Sequence, residues 1–172
     1  MDNSSENQSN KKTEIILYGH PILRKKALEI NNITGEIKEI AEKMIYAMHT
    51  APGIGLAAPQ INESIRLITV DLSVGENKED LIVLVNPKII SQEGQDLLEE
   101  GCLSIPGINE KVSRSFRVDC VGYDLNQKEK RMEAEGLLAR VILHEIDHLN
   151  GKLFIDHLSP LKKSIIRKKL EK

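Results

Sequence analysis

Two periodicities take turns along this chain. From Glu36 onward, apolar residues fall at Ile37, Ile40, Ala41, Met44, Ile45 and Met48, three and four apart. That spacing predicts an amphipathic helix with Thr34 as its N-cap. Ala51-Pro52-Gly53 ends it. Before this helix, Ile15-Ile16-Leu17 reads as a short strand, broken by Gly19-His20-Pro21 and followed by a loop to about Asn32. After it, the period drops to two. Strands are expected at 65–70 and 81–85, separated by the polar turn 73–80, with Asn86-Pro87 closing the second. Further strands are expected at 88–90 and 95–99, joined through Glu93-Gly94, then one long strand at 112–123 and a hairpin through 124–128 into 129–134. The helical period returns in GLLARVILHEIDHLNG, residues 136–151. This stretch is apolar on almost every side, which marks a buried helix, and it ends in Asn150-Gly151, suited to a left-handed C-cap. Residues 161–170 predict a short basic amphipathic helix. A run of strands with the helices kept apart from it argues for an α+β fold. Its strands are mainly antiparallel and surround a buried C-terminal helix, with one N-terminal amphipathic helix and a short C-terminal helix.

Composition narrows the function classes. The chain has 172 residues, most simply one domain over 13–172. Residues 1–12, MDNSSENQSNKK, form a polar tail of disordered composition. With 24 basic and 26 acidic residues and a pI near 6.2, no global basic field invites DNA. There is no Trp, with three Tyr and two Phe, so stacking platforms for single strands are lacking. No apolar run approaches the ~20 residues that span a bilayer. The tail lacks the apolar core of a signal peptide and the arginines of a transit peptide, so a cytoplasmic location is expected. The two cysteines are too few for a disulfide framework. Cys120 lies in an alternating run and reads as a small core residue. Cys102 lies between Gly101 and Leu103, after Glu99-Glu100 and between turn signals.

Candidate chemistry centres on His144-Glu145-Ile146-Asp147-His148. Histidines four apart share one helix face and can reach one metal ion. Glu145, beside the first of them, is placed to work on a water rather than to bind the metal. A bare H-E-x-x-H match is often accidental, but buried histidines and carboxylates need partners or a metal. Two histidines leave room for a third ligand, and Cys102 is the candidate thiolate. In GIGLAAPQ, residues 53–60, small residues let another backbone come close. Taken alone, that stretch favours a structural turn, with the Gln60 amide available to an oxyanion. His49 reads as a helix-terminal residue without a chemical role.

GIGLAAPQ, EGCLSIPG and HEIDHLNG, in this order and spacing, resemble the three signature motifs of the peptide deformylases. The resemblance runs from about Ile15 to Lys163. It implies a hydrolase that removes the N-formyl group from the initiator methionine of new bacterial or organellar proteins. It implies metal ligation by Cys102, His144 and His148 with water fourth, and Glu145 as general base and acid. Gln60 and the Leu103 amide would be oxyanion donors. Ile54, Gly55 and Gly101 would pair with the substrate backbone, and Leu137 and Val141 would wall the methionine pocket. The implied metal is one ferrous ion, with zinc, nickel or cobalt as substitutes. Implied partners are N-formylmethionyl nascent peptides and the ribosome, the latter through the basic segment 161–172, with the protein a monomer. Two positions depart from the family pattern: Leu143, where many relatives carry Gln, and Asn109, where some carry Arg. Arg114 fits the pattern as either an ion-pair residue or a substrate contact. Rival classes are a zinc endopeptidase and a non-catalytic metal module. The second is disfavoured because Glu145 and Gln60 are both present.

Overall fold

The computed structural model describes residues 13–172; the tail expected at 1–12 lies outside the described residues. Helix α1, Gly35–Thr50, is capped by the Thr34 hydroxyl, which accepts from the Ile37 amide. It buries Ile40, Ala41, Met44, Ala47 and Met48, the face that the sequence marked. Five strands follow in one antiparallel sheet of spatial order β1-β2-β3-β6-β7: β1 Gly55–Ala57, β2 Leu67–Val70, β3 Ile82–Glu93, β6 Arg117–Tyr123 and β7 Glu129–Glu135. Strands β4, Asp96–Cys102, and β5, Ile105–Arg114, form a separate antiparallel hairpin. Helix α2, Gly136–Leu149, packs across β1 and β2, and α3, Pro160–Leu170, ends the fold. Among the described residues the class is α+β with three helices and antiparallel sheets, as expected.

Four local expectations need correction. Residues 15–17 form no strand. Ile16 N–H bonds Gln60 O at 2.8 Å and Tyr18 N–H bonds Ser104 O at 2.8 Å, so the segment is tied to two different neighbours and builds no ladder. Asn86-Pro87 does not end a strand. β3 passes through it as a bulge, with the register skipping between Val85 and Lys88 and Asn86 at φ 51°. The Asn86 amide bonds both main-chain groups of Ile30, which offsets the Pro87 N–H that is missing. The long strand at 112–123 is two strands, divided at Ser115-Phe116. Its alternation is continuous because the chain leaves one sheet and enters another without losing phase. His49 is more than a helix-terminal residue, since its Nε2 lies 2.7 Å from Asp71 Oδ2 and ties the end of α1 to the end of β2.

The core closes around α2. Ile142, Leu149 and Ala139 are fully buried against Ile68, Val70, Leu84, Val118 and Cys120. A second cluster, built on Phe154, Leu153, Ile105 and Val112, seats the hairpin against the C-terminal segment. Helix α2 ends as expected, at Gly151 with φ 72°. A Cβ there would lie 2.5 Å from Arg24 O, so both conformation and space require glycine.

Candidate active site

Helix α2 carries His144, Glu145 and His148 inward, and all three are buried. The 3.6-residue period stacks the two histidines on one face. Cys102 comes from the end of β4, at a register slip between Gly101 and Cys102. Ligand atoms of Cys102, His144 and His148 lie within 4.8 Å of one another. Cys102 Sγ is 3.3 Å from His148 Nε2.

Glu100 holds the next layer. Its Oε2 accepts from His144 Nδ1 at 3.0 Å and from Arg114 Nη2 at 3.0 Å. Its Oε1 accepts from Arg114 Nε and Arg140 Nη1, each at 2.8 Å. Burial works against this charge, but the bonds from His144 and Arg114 outweigh it and hold the carboxyl at about 2. His144 is pulled the same way. Burial opposes its charging, yet the contacts with Cys102 and Glu100 raise its pKa well above the ordinary value. Burial, with His144 beside it, drives the His148 pKa well below the ordinary value. Glu145 is the opposite of Glu100: burial without a donor pushes it up to about 7. Among the described residues, its Oε2 and His148 Nδ1 are buried without a hydrogen-bond partner.

One cleft of about 440 Å³ collects the other candidates. Gln60, Leu103, Ile54, Gly55, Gly101, Leu137 and Val141 line it together with Cys102, His144 and Glu145. Each cleft residue singled out from the sequence is therefore at this site, and His148 completes the cluster beneath. The stretch 53–60 is an edge strand followed by a 3₁₀ turn, Ala58–Ile61. This turn aims Gln60 inward: Oε1 accepts from Ala57 N–H at 2.9 Å, so the amide NH₂ faces Ser104 Oγ at 3.1 Å and Cys102 Sγ at 3.7 Å. Gly55 lies directly against α2. A Cβ there would meet Glu145 Oε1 and would lie 2.7 Å from Val141 Cγ1. Asn109 pairs with Gly101 across the hairpin, and its side-chain oxygen occupies the space beside that glycine.

Sequence reasoning missed the supporting charges. Arg114 makes ion pairs with Glu100 and Asp147 and does not line the cleft, which decides between its two readings. Glu100 and Arg140 were not singled out, although both patterns were readable. Glu100 is two residues before Cys102 on a strand, hence on the same face. Arg140 is one helical turn before His144. Asp147 and His157, 2.7 Å apart, carried no pattern that would pair them.

The family profile described as polypeptide deformylase matches residues 12–164. A peptide deformylase of Thermodesulfovibrio yellowstonii is 50% identical over 158 residues, covering 92% of this chain and 96% of that one. The crystal structure of a Legionella pneumophila peptide deformylase superimposes with a TM-score of 0.87 at 42% identity, covering 92% of each chain. The Synechococcus elongatus enzyme, solved in complex with actinonin, gives 0.88 at 37% identity, covering 95% of this chain and 90% of that one. The chain belongs to the peptide deformylase family, the metal-dependent hydrolases that remove the formyl group from the N-terminus of nascent polypeptides.

Proposed function

We propose that residues 13–172 act as one catalytic unit, in which Cys102, His144 and His148 hold a single divalent metal ion and Glu145 moves the protons of deformylation. The observation that carries this reading is a buried carboxylate, with one oxygen unpartnered, directly beside three clustered metal-ligand atoms. The donor set fits the ion. Glu100 occupies His144 Nδ1, which leaves Nε2 for ligation, and one thiolate with two imidazoles suits a catalytic site with an open position. When bound, the ion supplies a Lewis acid that polarises the formyl oxygen and acidifies a water.

The residues divide the remaining work. Main-chain groups of Ile54, Gly55 and Gly101 pair with the formyl-peptide as an added strand. Leu137 and Val141 take the methionine side chain. Glu145, raised to about 7 by burial, accepts the proton of the attacking water and passes it to the departing amine. The Gln60 NH₂ and the Leu103 amide donate to the oxygen as charge develops on the attacked carbonyl. The products are formate and a free N-terminus.

The working metal is ferrous iron, in line with the family. Ligand type alone favours zinc, which also binds such sites more tightly. A thiolate ligand makes an iron site vulnerable to oxygen. Apo-protein loaded anaerobically with iron(II) should therefore release formate from a formyl-Met peptide far faster than the zinc form, without internal cleavage, and should decay in air. The nickel form should be active and air-stable. Equal activity of the zinc form at equal occupancy would refute the iron assignment. The basic residues of α3 form a docking face for ribosomal RNA. The protein works as a monomer in the cytoplasm, and among the described residues no helix is long and apolar enough to cross a membrane.

A further inference from the structure

A line of polar contacts runs from His144, at the cleft, to the protein surface. Glu100 joins His144 Nδ1 to the Nε–Nη2 edge of Arg114. The remaining nitrogen of that guanidinium, Nη1, reaches Asp147 Oδ2 at 2.5 Å. His157 ends the 3₁₀ turn Phe154–His157, with Nε2 2.7 Å from the same Asp147 oxygen and 3.2 Å from Arg114 Nη1. These two contacts cannot both be hydrogen bonds. Arg114 Nη1 only donates, and one imidazole nitrogen either donates or accepts. The shorter contact, to a carboxylate, puts the proton on Nε2. His157 and Arg114 therefore both donate to Asp147 Oδ2 and hold it from two sides.

We propose that His157 is a positioning residue for the metal centre. By holding Asp147 against Arg114 it keeps the Arg114 fork seated on Glu100, which fixes the His144 proton on Nδ1 and turns Nε2 toward the metal. The proposal rests on the reading of His144 as a ligand. Side-chain exposure rises along the line, from 5% at Arg114 to 17% at Asp147 and 35% at His157. A cavity of about 340 Å³, lined by Gln92, Gln95 and Ser113 among others, opens onto these three residues. His157 thus stands between solvent and the inner ion pairs. Without its ring, water from that cavity competes for Asp147 Oδ2, Arg114 Nη1 follows the loosened carboxylate, and the fork loses its fixed plane. A direct partner of a ligand histidine is typically worth about 10–100-fold in metal affinity. His157 acts through two further residues, so its loss should cost about three- to tenfold.

The test uses full-length protein loaded with zinc, which is diamagnetic. Two quantities are read at fixed pH: the rate of zinc release to a chelator, and solvent exchange of the His144 Nδ1–H in the imidazole region of the proton–nitrogen spectrum. His157→Ala should speed release about three- to tenfold and accelerate exchange of that proton. His157→Gln, whose amide can still donate to Asp147, should restore most of both. A surface ion pair of purely structural value would lower the melting temperature of His157→Ala without moving either reading, and that result would overturn the proposal. Failure of His157→Gln to rescue both readings would overturn it as well. If His157→Ala does not fold, the Gln variant and an Asp147→Asn variant decide on the same two readings. His144→Ala separates the layers. If it holds zinc as tightly as the parent, the ligand assignment fails and the proposal with it. If it loses zinc while His157→Ala releases zinc at the parent rate, the positioning role alone is overturned.

Discussion

Glu100 and Glu145 are both buried and both lie beside His144, yet their protons behave in opposite ways. Glu100 receives hydrogen bonds from Arg114, Arg140 and His144 and stays ionised, at about 2. Glu145 has no such donors, and burial raises it to about 7. Two carboxylates in contrasting environments thereby suit the contrasting roles proposed for them, one orienting and one transferring protons. Glu145→Ala should reduce formate release by about 10²–10⁴-fold while leaving one equivalent of nickel bound, measured by formate assay and metal analysis on the same nickel-loaded sample. Cys102→Ala should instead lose metal first, because one of the three proposed ligands is gone. At this scale the sequence was most informative about residues whose neighbours in the chain share their role. His144, Glu145 and His148 fall within five positions, and helical spacing alone puts the histidines together. Glu100 was legible only through strand alternation with Cys102. His157 depends on a turn that folds back onto α2, which no local pattern encodes.

Elements bring these residues into reach, and at Gly55 β1 lies directly against α2. Gly55 leaves no room for a side chain: a Cβ would meet Glu145 Oε1 and lie 2.7 Å from Val141 Cγ1. Gly55→Ala should cost about 1–3 kcal/mol of stability by overpacking. Displacement of Glu145 should lower formate release by about 10²-fold with nickel retained. Unchanged turnover in this variant would mean that α2 yields without moving the carboxylate. Asp71, just after β2, fixes the other end of this region. Its carboxylate accepts from the Ser73 amide and hydroxyl, the Gly75 amide and His49. Burial opposes the charge, but the Ser73 and His49 bonds prevail and depress the pKa. A depressed carboxylate stabilises the fold above its unfolded value of about 3.9 and loses that contribution as pH falls through the folded value. Asp71→Asn should thus lose about 1–3 kcal/mol near neutral pH and show a shallower loss of stability below about pH 4, read from urea midpoints across pH. Parallel pH profiles for parent and variant would contradict this. Elements whose periodicity continues to a turn residue were readable, as α1 and α2 were. The bulge at Asn86-Pro87 was not, because its compensating bonds go to Ile30, 56 positions away. Nor was the division at Ser115-Phe116, since alternation reports which face is buried and not which sheet buries it.

At the scale of the whole molecule, α3 joins the catalytic body to a separate surface. Only Ile166 on it is fully buried, with Leu170 packed beside it on the cluster around Phe154 and Val112, and Lys162 pairs with Glu110 on β5 at 2.7 Å. Removing the helix would therefore damage the core as well as the basic surface, and a truncation could not separate the two effects. The outward positions permit a cleaner test. Arg167, Lys168 and Lys169 are exposed in the last turns, where their charges also favour the helix C-terminus. If this face docks on ribosomal RNA, the attraction comes largely from phosphate neutralisation and weakens steeply with salt. Lys168→Glu together with Lys169→Glu should reduce co-sedimentation with ribosomes at low salt and flatten its salt dependence. Turnover of a free formyl-peptide should be unchanged, because neither residue lines the cleft. Co-sedimentation equal to the parent across the salt series would remove the docking role from α3. Its basic residues would then serve only as a solvated terminal face, held in place by Ile166.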